Sequence, residues 1–261
     1  GNQFLQHKDR LFTTDAYGDR VYYSSCFVDG ESAWFNPAFS FFVHGASGPI
    51  TALASMDGRL VVFKRNGIFV VDGDGPPEGG PSGNEYSPPQ RLSTEFGCVD
   101  HRSLAVTTEG IIYKSDRGVE LLTRSLQVKW LGEHVQNTVD ANPKVCGACI
   151  DSSGRYHLAL GASDTGTPTQ TGVQGVELVY DPTVTAWTVS KHSNLSGTYG
   201  RCLQDVCRAD LLGRGEVVCY ADPAGAICRE DATSGLDRGL WYVPWTMETA
   251  WVKTGQQARA R

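Results

Sequence analysis

The 261 residues carry 23 Lys and Arg against 29 Asp and Glu, a net charge of −6, and 40% of them are hydrophobic. This is ordinary globular material with enough apolar mass for a sizeable core, and its acidity argues against a general nucleic-acid coat without excluding a smooth acidic channel along which DNA slides. No apolar run approaches the ~18 residues of a membrane helix, Gly1-Asn2-Gln3-Phe4 lacks the regions of a signal peptide, and eight cysteines are too few for a disulfide scaffold. Free thiols in a reducing compartment are expected.

Along the chain, five short runs of alternating apolar and polar residues open on a glycine. They begin at Gly18, Gly58, Gly110, Gly154 and Gly215, at intervals of 40, 52, 44 and 61 residues. The second unit shows the grammar most plainly. Ile50 to Ser55 reads as a strand, Met56-Asp57-Gly58 as a turn, Arg59 to Lys64 as the next strand, and Arg65-Asn66-Gly67 as a turn into Ile68 to Val71. Asp-Gly and Asn-Gly favour tight hairpins because these residues tolerate positive φ. Gly73 to Pro89, rich in Gly and Pro, is expected as an exposed loop between strands of one unit.

The third unit repeats the pattern, with Leu104 to Thr107, Glu109-Gly110, Ile111 to Lys114, Asp116-Arg117-Gly118 and Val119 to Leu122. Ser125 to Val139 fits an outer strand plus loop or one short helix, and the strand is preferred. In the fourth unit Val145 to Asp151 reads as a strand, and Gly161 to Gly172 as a long hairpin loop. From Leu240 to Arg261 an aromatic-rich stretch forms a last outer strand or an exit toward a neighbouring domain. A recurrence of 40–50 residues built of short strands and turns is the mark of propeller blades. The expected fold is all-β, a β-propeller of five to six blades with mostly antiparallel short strands. Residues 1–261 would form one domain, itself a segment of a longer protein.

No candidate site rises above its structural explanation. Cys146-Gly147-Ala148-Cys149 has zinc-knuckle spacing, but a second pair with that gap is missing, and a strand would place the two thiols on opposite faces. Cys202 and Cys207 offer a minor disulfide, and Cys219 and Cys228 are too far apart for the motif. Histidines 7, 44, 101, 134, 157 and 192 show no ligand spacing, and His157 reads as a satisfied strand histidine. The Gly73–Gly83 stretch lacks the lysine and hydroxyl of a phosphate loop. Ser55-Met56-Asp57-Gly58 and Ser115-Asp116-Arg117-Gly118 are similar to sialidase Asp-boxes but lack the following tryptophan, and hairpin turns explain them. Trp34, Trp187, Trp241, Trp245 and Trp251 could stack on sugars, though blade aromatics more often fill the wedge between sheets. Asn194-Leu195-Ser196 is a formal glycosylation triplet of little weight here. No Gly-x-Ser-x-Gly elbow occurs. The chain is expected not to be an enzyme, with no catalytic, cofactor-binding or metal residues.

Three stretches carry a family resemblance: Arg59 to Val71, Thr94 to Val99, and Thr108-Glu109-Gly110-Ile111-Ile112-Tyr113-Lys114-Ser115-Asp116-Arg117-Gly118. They resemble propeller segments of short-tailed phage tail proteins, the tail nozzle (tail tubular protein B) and packaged-DNA stabilisation proteins, most clearly from Ile50 to Val128. The resemblance implies a structural virion component located in the tail and assembled in the host cytoplasm. Its implied partners are copies of itself in a ring, other tail or adaptor proteins, and double-stranded DNA passing without sequence-specific binding. It implies no cofactor and no catalytic residue. A full nozzle protein would also need several hundred more residues for its platform and tip. Two rival readings stand beside it: a receptor- or glycan-binding propeller, and a sialidase-like hydrolase.

Overall fold

Each strand pairs antiparallel with the next one in sequence, so the chain is laid down as consecutive meanders. The computed structural model describes residues 3–15, 18–76, 86–92, 95–161, 175–192, 205–211, 215–221, 227–229, 236–237 and 241–242. Sheet 1 holds β1 (Phe4–His7), β2 (Arg10–Thr14), β3 (Arg20–Ser24) and β4 (Phe35–Phe42). Sheet 2 holds β5 (Ile50–Met56), β6 (Arg59–Lys64), β7 (Gly67–Val71) and β8 (Gln90–Arg91). Sheet 3 holds β9 (Ala105–Val106), β10 (Gly110–Lys114), β11 (Val119–Thr123) and β12 (Val128–Trp130). Sheet 4 holds β13 (Lys144–Ile150), β14 (Tyr156–Gly161), β15 (Gly175–Asp181) and β16 (Ala186–His192). Sheet 5 is three-stranded, with β17 (Asp205–Leu211), β18 (Gly215–Ala221) and β19 (Ile227–Arg229). A last pair joins β20 (Leu236–Asp237) to β21 (Trp241–Tyr242). The protein is therefore mostly β, and none of these sheets closes on itself.

The strands do not alternate as expected, because sheets 2, 3 and 4 are covered on both faces. In sheet 2, Leu53, Leu60, Val62, Phe69 and Val71 face Phe12, Val21 and Tyr23 of sheet 1. The intervening Ala52, Ala54, Met56, Val61, Phe63 and Ile68 face Ile111, Tyr113 and Leu122 of sheet 3. The other side of sheet 3, with Ile112, Val119 and Leu121, meets Tyr156, Leu158, Leu160, Val176 and Leu178 of sheet 4. The far face of sheet 4 meets sheet 5 through a smaller group, Cys146, Ala159, Val206 and Val218. A strand flanked by sheets on both sides needs apolar residues at odd and even positions alike, which is why Leu60-Val61-Val62-Phe63 is fully buried. Each large aliphatic or aromatic side chain buried this way is worth roughly 1.5–3 kcal/mol.

The first strands of successive sheets adjoin, β1 beside β5, β5 beside β9, β9 beside β13, and β13 beside β17. Gln3 clamps β5 from both sides, its amide donating to the Leu53 carbonyl (2.9 Å) and accepting from the Leu53 N–H (2.7 Å). Backbone also comes close where the chain passes from sheet 2 to sheet 3. A Cβ on Gly97 would lie 1.9 Å from the Lys64 carbonyl oxygen, so no other residue fits this crossing.

Three expectations change. Gly18 lies before β3, not β2, so it matches the second turn of the other sheets rather than the first. The true counterpart of Asp57-Gly58 is Lys8-Asp9, with φ 51° at Lys8 and 52° at Asp57. The first interval is therefore 58 − 9 = 49 residues, not 40, and it was hidden because a lysine occupies the left-handed position. Second, Ser125 to Val139 holds the preferred outer strand, but a helical segment rather than a loop follows it. Leu126 turns with φ 61°, β12 is short, and a 3₁₀ turn at Glu133–Val135 leads into α1 (Gln136–Ala141). Val135 and Val139, four apart, place their side chains in the sheet 3–sheet 4 core. Third, the described flanks of the Gly73–Pro89 loop join β7 to β8 as expected, but Tyr86 is drawn inward against Phe12 (5.6 Å) and Tyr23 (5.1 Å). The Gly161–Gly172 loop falls almost wholly outside the described residues, as does 240–261 apart from β21.

Candidate functional site

Charged clasps cross two of the sheet joints at matching positions with opposite polarity. From the β1–β2 turn, Lys8 Nζ reaches Asp74, beyond β7, at 2.5 Å. From the equivalent β5–β6 turn, Asp57 meets Arg124, beyond β11. A second pair lies near the next turn. Asp19, before β3, binds the fully buried Lys64 at the end of β6 (2.9 Å). Arg65, in the β6–β7 turn, grips Asp116 of the β10–β11 turn with two bonds of 2.6 Å, and Asp116 holds the Arg65 guanidinium above its usual range. Sheet 1 thus offers +/− to sheet 2, whereas sheet 2 offers −/+ to sheet 3. Such pairs add little stability where exposed, but sheet 1 set directly against sheet 3 would bring Lys8 toward Arg124 and Asp19 toward Asp116, like charges facing each other. Asp57 and Asp116, the Asp-box candidates, are parts of these clasps and of their hairpin turns.

A buried polar cluster spans the joint between sheets 4 and 5. His157, on β14 and 2% exposed, lies between two carboxylates. Its Nδ1 is 2.7 Å from Glu177 Oε1 on β15, and its Nε2 is 3.3 Å from Asp151 Oδ2 in the β13–β14 turn. Asp151 also accepts from Arg155 Nε (2.6 Å) and from the backbone N–H groups of Ser153 and Arg155 (2.9 Å each). Tyr220, on β18 of sheet 5, donates its hydroxyl to Glu177 Oε1 at 3.0 Å. Burial alone would drive the imidazole neutral, but the bonds to Glu177 and Asp151 outweigh it and hold His157 above its usual value. Cys149 faces His157 across the β13–β14 ladder. Burial and the nearby carboxylates push its thiol up to about 12. With both imidazole nitrogens occupied and a thiol this weakly acidic, Cys149 and His157 do not form a nucleophile–base pair.

Two further polar groups are buried within sheets. Glu120, wholly buried, accepts from Tyr113 Oη (3.2 Å) and Ser115 Oγ (3.0 Å), and burial raises its carboxyl above the usual range despite those bonds. It lies at the floor of an open cleft of about 540 Å³, lined also by Arg91, Leu92, Phe96 and Arg117. Arg117 lies 4.3 Å over the Trp130 ring. His7, on β1, meets the neutral Ser55 hydroxyl at 2.7 Å, and burial with Lys8 beside it lowers its pKa to about 4.

The cysteine pair at 146 and 149 is not split across the strand. A bulge between Val145 and Gly147 shifts the register, so Cys146 and Cys149 both pack toward Val206 and Val218. Among the described residues no group of three His, Cys, Asp or Glu is placed to hold a metal ion. Cys207 is a free thiol opposite Cys219, while Cys202 and the Asn194 triplet lie outside the described residues. His44 stacks on Phe42 (5.4 Å), His101 sits beside Asp100, His134 is exposed, and the His192 side chain is outside the description. Trp187 fills the wedge between sheets 3 and 4, donating to the Leu131 carbonyl at 2.9 Å. Trp34 is 53% exposed, and Trp245 and Trp251 lie outside the described residues. No helix among the described residues is long and apolar enough to cross a membrane. No protein-family model matches the chain, and no curated protein matches it.

Proposed function

We propose that the chain is a β-propeller of five to six blades acting as an assembly module of a tailed-phage tail, beside the channel through which DNA leaves. The observation that carries this reading is the succession of contiguous meanders whose first strands adjoin and whose faces share one core after another. The stretches that resemble phage nozzle proteins are the ones that fit sheet 2 to sheet 3, including Phe63, Gly97 and Tyr113. In this role the module works by stiffness. Two-sided packing and charged clasps fix each blade, and the loops between strands meet copies of the chain, other tail proteins or an adaptor. A net charge of −6 repels phosphates, so passing DNA would slide rather than adhere. Immunogold labelling of particles of the encoding phage tests the proposal. Label at the tail vertex is expected, and unlabelled particles would overturn it.

A glycan- or receptor-binding propeller is the second reading. It is favoured by the aromatic flank of sheet 1, where Trp34, Phe35 and Phe42 are 53%, 40% and 48% exposed. Saturable binding on a glycan array, lost in Trp34→Ala, would prefer it.

A further inference from the structure

We infer that Cys207 and Cys219 form a reversible disulfide that staples β17 to β18, with a low-molecular-weight disulfide such as glutathione disulfide as the oxidant. The two residues are direct partners in the β17–β18 ladder. Directly opposed residues of an antiparallel pair lie about 4.5–5.5 Å apart at Cα, within the roughly 4.4–6.8 Å that a disulfide spans. They also share a face. Val206 and Val218, each one step along its strand, turn toward sheet 4, so both thiols stand on the other face of sheet 5. Both are free thiols. Among the described residues no other two cysteines are ladder partners: Cys149 is opposite His157, Cys228 is opposite Tyr220, and Cys146 lies in the bulge of β13.

The two thiols differ in access, and that sets the order of events. Cys207 is exposed, whereas Cys219 is 5% exposed. Glutathione disulfide therefore meets Cys207 first. The Cys207 thiolate attacks one sulfur of the reagent, forms the mixed disulfide and expels one glutathione thiolate. The Cys219 thiolate then attacks the Cys207 sulfur and expels the second. The protein gives up two hydrogens and two electrons, and one glutathione disulfide becomes two glutathione thiols. Burial, with Cys219 and Asp205 nearby, raises the Cys207 thiol above its ordinary value, so the first step calls for mildly alkaline solution. Cys149, which lies near Cys207, is the rival for the second step. Its thiol is pushed up to about 12, by burial first and then by Glu177, which leaves it little thiolate. The staple falls where the shared core is small, Cys146, Ala159, Val206 and Val218 with Cys149 and Tyr220 packed against it.

The full reduced chain, exposed to glutathione disulfide at about pH 8.5, tests the staple. Peptide mapping should recover the Cys207 and Cys219 peptides as one linked species, lighter by two hydrogens than the pair. Cys219→Ser should stop at the mixed disulfide, with one glutathionyl group on Cys207, and Cys207→Ser should keep Cys219 as a thiol. Hydrogen exchange across β17 and β18 should slow by roughly tenfold or more in the oxidised chain, stay level in β6 and β10, and recover after dithiothreitol. Cys207→Ser alters an exposed position, so it reads the staple even if Cys219→Ser folds poorly. Thiols that both stay free, a Cys207 joined to Cys149, Cys202 or Cys228, a mixed disulfide that persists in the unaltered chain, or unchanged exchange in β17 and β18 would each overturn the inference.

Discussion

The joint between sheets 1 and 2 and the joint between sheets 4 and 5 each bury a histidine, yet the two are opposite in kind. His7 meets a neutral hydroxyl, and burial, with Lys8 beside it, drops its pKa to about 4. His157 meets two carboxylates and is held above its usual value. Around His7 the core is large and aromatic, with Phe12, Tyr23, Leu53, Leu60 and Phe69. Around His157 it is small. Where apolar mass is plentiful a histidine can be treated as one more packed ring; where it is scarce, charge supplies the hold. The same residue type thus gives the two ends of the molecule opposite responses to pH.

The largest expected effect comes from removing the apolar mass. Phe12→Ala should destabilise the fold by about 3–5 kcal/mol, read as a lower urea midpoint, whereas Val218→Ala in the small core should cost clearly less. Next, Glu177→Ala removes a buried carboxylate bonded to His157 and Tyr220, and should cost roughly 3–5 kcal/mol at neutral pH; an equal loss at alkaline pH would blur the contrast between the joints. Third, acid should weaken the His7 joint. The unfolded chain takes up the proton near pH 6.5 and the folded one near pH 4, so stability is lost as pH falls between those values, by up to roughly 3 kcal/mol. His7→Gln should flatten that part of the stability–pH curve. Smallest is the exposed clasp. Arg65→Ala should change stability by no more than about 1 kcal/mol, and the change should shrink in high salt.

Much of the fold could be read from turn chemistry. Asp57-Gly58, Asn66-Gly67 and Gly110 all sit where tight reversals occur, and β5, β6, β7, β10 and β11 fall within a residue or two of their expected bounds. Turns made without the usual residues escaped, Lys8 above all. The Cys146 bulge escaped as well, because register depends on the partner strand rather than on local composition. The His157 cluster was illegible as spacing, since its members come from three strands and a turn. One signal was present all the same. Glu177 in Val176-Glu177-Leu178-Val179-Tyr180 and Glu120 in Val119-Glu120-Leu121-Leu122 are acids inside runs that must be buried. A carboxylate in such a place requires a donor from outside its own strand.

Among the described residues, sheet 1 is assembled from residues 4 to 42 and takes no strand from further along the chain. A growing polypeptide can therefore finish that layer while the remainder is still being made, and each later meander has a completed template to settle upon. Ribosome-bound intermediates of such a chain would be a stack lengthening one layer at a time, and a break near the far end would leave the earlier layers standing.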